Sequence, residues 1–279
     1  MRNGPVVTIV MNRPKERNCV NKGIADKLLH EIIAFDKDPT VRGSSCMSCP
    51  ILTYWVPLIS LSLPLSSSQL SVCVLHGEGA FCAGADLKNF NNLLSSNMDD
   101  PAPMGITRYQ TSKPVIASIS GFAVAGGIEL ALWCDLRVVE EDATMGVFCR
   151  RFGVPLIDGG TVRLPRLIGR SRALDLILTG RPVSAQEAKE IGLANRVAKK
   201  GTVRQAAESL ALEIAAFPQT CLRNDRRSAL DQENLSFKEA MKREFGLGED
   251  TINSGETLEG ARKFQSGVGR GGAFGKSKL

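Results

Sequence analysis

The fold of this chain is decided by residues 113–138, which read KPVIASISGFAVAGGIELALWCDLRV. The β-branched, apolar run after Lys113-Pro114 predicts a strand over 115–120. A glycine-containing turn then leads into a helix over 128–133, and a further strand is predicted over 136–139. Strand, glycine-rich turn and helix in direct succession indicate an α/β fold.

The same succession of elements occurs earlier in the chain. Apolar runs predict strands over 6–11 and 72–75, and between them Asn21 is expected to cap a helix that ends near Asp36. From residue 184 onward the pattern is helical, with helices predicted over 184–191, 202–216, 225–245 and 256–264. We therefore predict an α/β core over 1–197 and a helical C-terminal region over 198–279.

The composition excludes several classes of protein. The chain has 279 residues, of which 43% are hydrophobic and 23% charged, so it can bury a sizeable core. Its charge of +6 is scattered and only 5% of its residues are aromatic, which does not suit a nucleic-acid surface but is compatible with a small anionic ligand. No signal peptide precedes the eight cysteines, so we expect reduced thiols in an intracellular protein. No metal site is predicted, because Cys46 and Cys49 form a lone CxxC pair.

Residues 43–70 do not fit the rest of the chain, because they contain no Asp, Glu, Lys, Arg or His. Three prolines and eight serines interrupt the segment, so it cannot form a membrane span. Two explanations remain open. The segment is a genuine insertion, or it is translated intron sequence, since 61–68 can be encoded by pyrimidine-rich codons and Gln69 by CAG.

Two glycine-containing turns offer backbone N–H groups to a ligand. Gly84 and Ala85 are small, and the sequence Ala125-Gly126-Gly127 begins a predicted helix, where free N–H groups favour negative charge. Glu129 lies in the apolar part of that helix, where burial would raise its pKa toward the range of a general acid–base catalyst. The alternative to ligand binding is that the two turns are needed only for packing. The alternative to catalysis is that Glu129 forms a structural salt bridge.

Together the motifs at 80–88 (AFCAGADLK) and 113–138 resemble those of the crotonase, or enoyl-CoA hydratase/isomerase, superfamily. Further similar stretches lie at 12–18, 158–169 and 178–197. The resemblance implies a spiral of ββα units with C-terminal helices that assemble a homotrimer or hexamer. It also implies an acyl-CoA thioester substrate, with no cofactor besides the CoA that is part of the substrate.

The resemblance assigns expected roles to particular residues. The N–H groups of Ala85 and Gly126 would form the oxyanion hole that holds the thioester oxygen. Glu129 matches the first catalytic glutamate of the family. The residues expected to contact CoA are Ala83, Ala85, Asp86, Leu87 and Lys88. Lys88 could equally be a solvated surface lysine.

The chain departs from the family at the second catalytic glutamate, where Cys149 stands instead. A thiol of ordinary pKa carries protons poorly at neutral pH, so Asp158 is the expected replacement and would pair with Glu129. Cys149 remains the third catalytic candidate, since the thiol would matter if Asp158 does not. Alternatively, Asp158 is the N-cap of the following helix. The resemblance implies an enoyl-CoA hydratase of fatty-acid oxidation first, then an enoyl- or dienoyl-CoA isomerase. A further alternative is a non-catalytic acyl-CoA-binding isoform that is disrupted by the insertion at 43–70.

The chain ends in Ser277-Lys278-Leu279, which is the peroxisomal targeting signal. We therefore expect an interaction with the peroxisomal import receptor and a peroxisomal location, with the cytoplasm as the alternative. Interactions with nucleic acid or membrane are not expected.

Overall fold

The computed structural model describes residues 1–38, 70–88, 95, 97–269 and 271. The predicted insertion, apart from Leu70, lies outside these residues, and so does the predicted targeting signal Ser277-Lys278-Leu279. Both interpretations therefore stay predictions.

Two β-sheets form the centre of the described chain. Their strands are β1 (Arg2–Asn3), β2 (Val6–Met11), β3 (Val72–Gly77), β4 (Val115–Ile119), β5 (Phe122–Val124), β6 (Leu136–Glu140), β7 (Thr144–Gly146), β8 (Val183–Ser184) and β9 (Arg196–Ala198). The larger sheet has the order β1-β2-β3-β4-β6-β9 and is parallel except for β1. The smaller sheet has the order β5-β7-β8. The four strands predicted from the sequence are β2, β3, β4 and β6, which form the middle of the larger sheet.

Five helices alternate with the strands along the described chain, and four more follow the last strand. They are α1 (Lys22–Lys37), α2 (Gly126–Trp133), α3 (Gly160–Ile168), α4 (Arg170–Thr179), α5 (Ala185–Glu190), α6 (Val203–Ala215), α7 (Gln219–Asp231), α8 (Phe237–Asn253) and α9 (Glu256–Gln265). Asn21 caps α1 as predicted, since its side chain accepts the N–H of Ile24.

The prediction of one helix over 225–245 is wrong. A short 3-10 helix, Gln232–Asn234, separates α7 from α8, and Leu235 has an extended backbone. Ser236 then starts α8 through a reciprocal capping box with Glu239, which satisfies N–H groups that a new helix leaves unpaired. The chain therefore stops and restarts within the predicted helix.

The larger sheet is buried on both faces, as the continuous apolar strands require. In β3, Leu75 points to the main core with α1 and α2, whereas Val74 points to the opposite face. There it meets Val203 and Leu210 of α6. The predicted division of the chain at residue 197 stays a prediction. The first helix after this position, α6, packs on the larger sheet.

The two sheets meet where the candidate site is located. The segment after β3 runs beside β5, because the N–H of Cys82 donates to Phe122 O at 2.8 Å and the N–H of Val124 donates to Cys82 O at 3.1 Å. It also pairs with the residue that precedes the N-cap of α1, through the parallel bridge between Val20 and Ala85. Across the described part of the chain, none of the helices has the length and apolar character to cross a membrane.

Candidate active site

The turns that carry Ala85 and Gly126 approach each other closely. A Cβ added to Gly84, whose φ is +102°, would lie 2.9 Å from the Ala125 Cβ and 3.0 Å from the Gly126 nitrogen. Only glycine therefore fits at position 84. The N–H groups of Ala85 and Gly126 donate to no acceptor in the described chain, so both remain available to a ligand.

Ala125, which precedes Gly126, has an unusual backbone conformation. Its φ of +54° and ψ of −127° are strained for a residue with a Cβ, and such strain costs on the order of 1–3 kcal/mol. The conformation is held by its N–H, which donates to Gly146 O of β7 at 3.0 Å, and by its carbonyl, which accepts from the Ile128 N–H. The smaller sheet thus fixes the start of α2, where unpaired N–H groups favour negative charge.

Glu129 lies on α2 and is 2% exposed. Its Oε1 accepts the backbone N–H groups of Asp158, at 2.9 Å, and Gly160, at 2.8 Å. The pKa of Glu129 is raised to about 7, mainly by burial and also by the charge of Asp158, while the hydrogen bonds from Gly160 and Asp158 partly oppose the shift. A carboxyl with this pKa can accept and return a proton at neutral pH. It forms no salt bridge with a described residue, so the structural alternative for Glu129 is not supported.

Asp158 lies in the loop before α3 and is 4% exposed. Its Oδ1 accepts the N–H of Met104 at 3.0 Å and the hydroxyl of Thr107 at 2.5 Å. Burial raises its pKa, and the hydrogen bonds from Thr107 and Met104 partly oppose that shift. The alternative reading of Asp158 as a helix N-cap is wrong, because α3 starts after Gly159 and receives no side-chain cap.

Arg163 connects the loop that contains Asp158 with the segment that contains Thr107. Its Nη1 donates to Asp158 O at 3.0 Å and its Nη2 donates to Thr107 O at 2.7 Å. A Cβ at Gly159, whose φ is +93°, would lie 2.1 Å from that Nη1. The sequence analysis did not single out Met104, Thr107 or Arg163, because the contacts of Met104 and Thr107 with Asp158, and of Arg163 with Thr107, join segments that are distant along the chain.

Cys149 lies in a 3-10 helix, Phe148–Phe152, and is 6% exposed. Burial raises the pKa of its thiol, and the negative charge of Glu129 raises it further. The thiol is therefore neutral at pH 7 and does not exchange protons as a carboxyl would.

Most of the predicted site residues line one cavity of about 220 Å³. Its walls include Ala83, Ala85, Leu87, Gly126, Glu129, Cys149 and Asp158. The remaining wall is mainly apolar and is formed by Pro103, Met104, Val124, Ala125, Phe148, Phe152, Val154, Pro155 and Ile157. Such a cavity, apolar with a few convergent polar groups, is typical of a small-molecule site.

Two of the predicted CoA contacts lie outside the cavity wall. The carboxylate of Asp86 lies 3.8 Å from Arg13 Nη2, and Lys88 is exposed. Within the described ranges, no group of three or more His, Cys, Asp or Glu side chains could hold a metal ion.

The fold and the site define an α/β protein with two sheets, C-terminal helices and a mainly apolar cavity containing two buried carboxyls. The pattern of the enoyl-CoA hydratase/isomerase family matches residues 60–266. The chain is 33% identical over 275 residues to the Bacillus subtilis protein YngF, whose name describes an enoyl-CoA hydratase/isomerase, and the match covers 95% of this chain and 93% of YngF. This chain therefore belongs to the enoyl-CoA hydratase/isomerase, or crotonase, family.

Other relatives and solved structures agree with this membership. The mitochondrial enoyl-CoA hydratase of Pongo abelii is 29% identical, and the match covers 94% of this chain and 82% of that protein. The crystal structure of an enoyl-CoA hydratase from Mycobacterium tuberculosis superimposes with a TM-score of 0.81 at 30% identity, covering 95% of this chain and 94% of the other. The predicted crotonase fold is thus confirmed.

Proposed function

We propose that this protein is an enoyl-CoA hydratase of fatty-acid oxidation, which adds water across the double bond of a 2-enoyl-CoA thioester. One observation carries the proposal. Two backbone N–H groups without described partners, of Ala85 and Gly126, border the same cavity as two buried carboxyls, of Glu129 and Asp158. This combination suits a reaction that develops negative charge on a carbonyl oxygen and moves protons nearby.

In the proposed mechanism, the thioester oxygen accepts hydrogen bonds from Ala85 and Gly126. These bonds strengthen as the enolate forms, so they stabilise the transition state more than the bound substrate. Glu129 and Asp158 activate a water molecule toward C3 and deliver a proton to C2. Each carboxyl has one oxygen, Oε2 and Oδ2 respectively, that accepts from no described residue and remains available for this task.

The rest of the substrate would extend from this centre. We propose that Ala83, Asp86, Leu87 and Lys88 contact the CoA part, with the Lys88 ammonium near its phosphates. Lys88 and the side chain of Leu87 are exposed, as residues at the mouth of a site for a long ligand would be.

We also propose a homotrimer or hexamer assembled through the C-terminal helices. Large apolar side chains are exposed on α8 and α9, namely Phe237, Met241, Phe245, Ile252, Leu258 and Phe264. Exposed apolar patches of this kind are typical of surfaces that another chain covers. Light scattering should give three or six times the mass of one chain, and the mass of a single chain would contradict this.

Peroxisomal import through Ser277-Lys278-Leu279 is proposed from the sequence alone. A fluorescent protein fused to the N-terminus should enter peroxisomes with the full chain and remain outside without the last three residues. A full-length fusion spread through the cytoplasm would contradict this proposal.

The proposed activity is tested with the purified full chain and crotonyl-CoA. We expect loss of the conjugated enoyl thioester and formation of 3-hydroxybutyryl-CoA, both of which chromatography with mass detection can follow. Glu129→Gln keeps the shape of the side chain but carries no proton, so it should lower the rate by about 10²–10⁴ while CoA-thioester binding persists. Binding of crotonyl-CoA without any product would instead support the non-catalytic isoform.

Isomerisation is the second candidate, and the position of Cys149 favours it. A neutral thiol stands where the resemblance places a second catalytic glutamate, and moving a double bond needs only a proton shuttle beside the oxyanion hole. Conversion of a 3-enoyl-CoA into a 2-enoyl-CoA, without hydration of the latter, would establish this alternative over the hydratase.

A further inference from the structure

The thiol of Cys149 differs from those of Cys82 and Cys134 in its hydrogen bonding, and from all other described thiols, the buried Cys73 included, in lining the cavity. Cys82 donates to Asn18 O and Cys134 donates to Leu130 O, so these two sulfurs have protein partners. Cys149 donates to no described acceptor, and it borders the cavity, which the other described cysteines do not. Burial and the charge of Glu129 raise the pKa of the Cys149 thiol. Hydrogen bonds from the backbone N–H groups of Cys149 and Arg150 partly oppose this shift.

A second observation shows that the cavity around this thiol is built to receive a polar ligand. Glu129 and Asp158 are 2% and 4% exposed, and each has one carboxyl oxygen that accepts from no described residue. Neither oxygen is among the described buried polar atoms that lack a partner, so both are open to the cavity, where a ligand or water can reach them. Glu129 lines the same cavity as Cys149, so an acid–base group accompanies the thiol.

The proposed substrate is itself an electrophile. In a 2-enoyl thioester the carbonyl withdraws electrons from C3, and sulfur is intrinsically a stronger nucleophile than a water oxygen. A thiol and a water molecule would therefore compete for C3 in one cavity. Addition of the thiol uses the same two aids as hydration, namely a base for the proton and an oxyanion hole for the enolate.

We propose that Cys149 captures α,β-unsaturated acyl-CoA thioesters as a covalent thioether. The S–H proton passes to the ionised carboxylate of Glu129 and the S–C3 bond forms. The π electrons of the C2=C3 bond move to the thioester oxygen at Ala85 and Gly126. Glu129 then returns the proton to C2, which leaves a saturated acyl-CoA bonded to Cys149 and needs no further reactant. Loss of the C2 proton and of the sulfur reverses the capture.

This inference rests on the proposed function, because it requires an enoyl-CoA in the cavity. The substrate would thereby limit the activity of the enzyme, since each captured thioester blocks one active site until elimination releases it. A saturated acyl-CoA has no C2=C3 bond, so it can occupy the cavity but cannot be captured.

Intact-protein mass spectrometry of the full chain tests the proposal. After incubation with crotonyl-CoA and a quench in acid, the chain should gain the mass of one intact thioester, and peptide mapping should place it on Cys149. Butyryl-CoA, the matched saturated thioester, should add nothing and should slow labelling by crotonyl-CoA. Cys149→Ser should lose the adduct, whereas Cys19→Ser, at a half-buried thiol outside the cavity, should keep it. Glu129→Gln should form the adduct at least tenfold more slowly.

Equilibrium dialysis with both thioesters separates the two ways in which this test can fail. Binding of crotonyl-CoA without an adduct on wild-type Cys149 overturns the capture and leaves the proposed function standing. Absence of binding by either thioester overturns both. An adduct mapped to another cysteine also overturns the assignment, and this result does not depend on whether the Cys149→Ser variant folds, because the map is made on the wild-type chain.

Discussion

The carboxylate of Glu129 accepts the backbone N–H of Asp158 at 2.9 Å, so each of the two buried acids of the cavity depends on the other for its position. The second acceptor bond of Glu129 Oε1 comes from Gly160, at the start of α3. Asp158 in turn is held by Met104 and Thr107. The negative charge of Asp158 makes ionisation of Glu129 less favourable, so the titration of Glu129 depends on the charge of Asp158.

The first prediction concerns the pH dependence of the reaction. Glu129 must be ionised to take a proton from water, and its pKa is about 7, so kcat/KM should rise with pH through a midpoint near 7. Asp158→Asn removes a negative charge that raises this pKa, so the midpoint should move to lower pH even where the maximal rate falls. Profiles from pH 5 to 9 provide the measurement, with Asp250→Asn on the exposed face of α8 as the control. A midpoint that stays fixed or moves upward in Asp158→Asn would contradict the coupling.

The second prediction concerns stability rather than rate. The pKa of Glu129 is raised from 4.5 to about 7 in the folded state, so the folded chain binds this proton more tightly than the unfolded chain does. The unfolding free energy therefore carries no penalty from Glu129 below pH 4.5 and a growing one between pH 4.5 and 7, reaching roughly 3 kcal/mol above pH 7.

Glu129→Gln lacks this titration. Below pH 4.5 the difference in unfolding free energy between Glu129→Gln and the wild type should be constant. Between pH 4.5 and 7 this difference should change steadily in favour of the variant. Denaturant unfolding at several pH values measures the difference, and Glu249→Gln, at an exposed position of α8, should show no such trend. A difference independent of pH would mean that Glu129 is ionised throughout this range.

The middle of the larger sheet could be predicted from the sequence because its strands carry a strong local signal. Val6–Met11 and Val115–Ile119 are β-branched and apolar, and prolines or glycines follow or precede them. The three strands of the smaller sheet were missed, because two or three residues do not establish a period. The break between α7 and α8 was missed although Ser236 and Glu239 carry the spacing of a capping box.

The site could be predicted in part. Ala85, Gly126 and Glu129 lie in motifs that are read directly from the chain, and the structure brings them to one cavity together with Cys149 and Asp158. The partners that hold Asp158 could not be predicted, because their hydrogen bonds join residues more than fifty positions apart. Distances of this kind are set by tertiary packing, for which local sequence patterns carry no signal.

The third prediction concerns Gly160, where a methyl group would meet the catalytic candidate directly. A Cβ at this position would lie 2.9 Å from Oε1 and 3.0 Å from Cγ of Glu129. Gly160→Ala should therefore displace the carboxyl and lower kcat by roughly tenfold or more, since small misplacements of catalytic groups are costly. Steady-state kinetics with crotonyl-CoA measures the loss.

Gly246→Ala is the matched control, because Gly246 lies in α8 and a Cβ there would have no atom within 4 Å. It should leave kcat unchanged and stabilise the fold by about 0.5–1 kcal/mol, since alanine favours a helix. If Gly160→Ala lowered only the melting temperature and left kcat intact, the placement of Glu129 would not depend on this glycine.

The last prediction concerns the uncharged segment, of which residues 43–69 can be removed while Leu70 is kept. The chain on either side is anchored without that segment. Lys113 Nζ donates to Phe35 O at 2.8 Å and to Asp38 O at 3.1 Å, which fixes the end of α1. On the other side Leu70 packs against the main core, and the N–H of Ser71 donates to the carbonyl of Pro5 at 2.7 Å.

We therefore expect the chain with Arg42 joined to Leu70 to fold and to keep its activity. The entropic cost of closing a loop changes by only about 0.6 kcal/mol for each halving of its length, so stability should change little. Soluble yield should rise, because an apolar segment without charge is removed. A second variant lacking only 46–66 covers the case in which four remaining residues are too short to connect α1 with β3. Loss of turnover in both variants, with the fold intact by circular dichroism, would show that the segment is a functional insertion and would rule out the intron explanation.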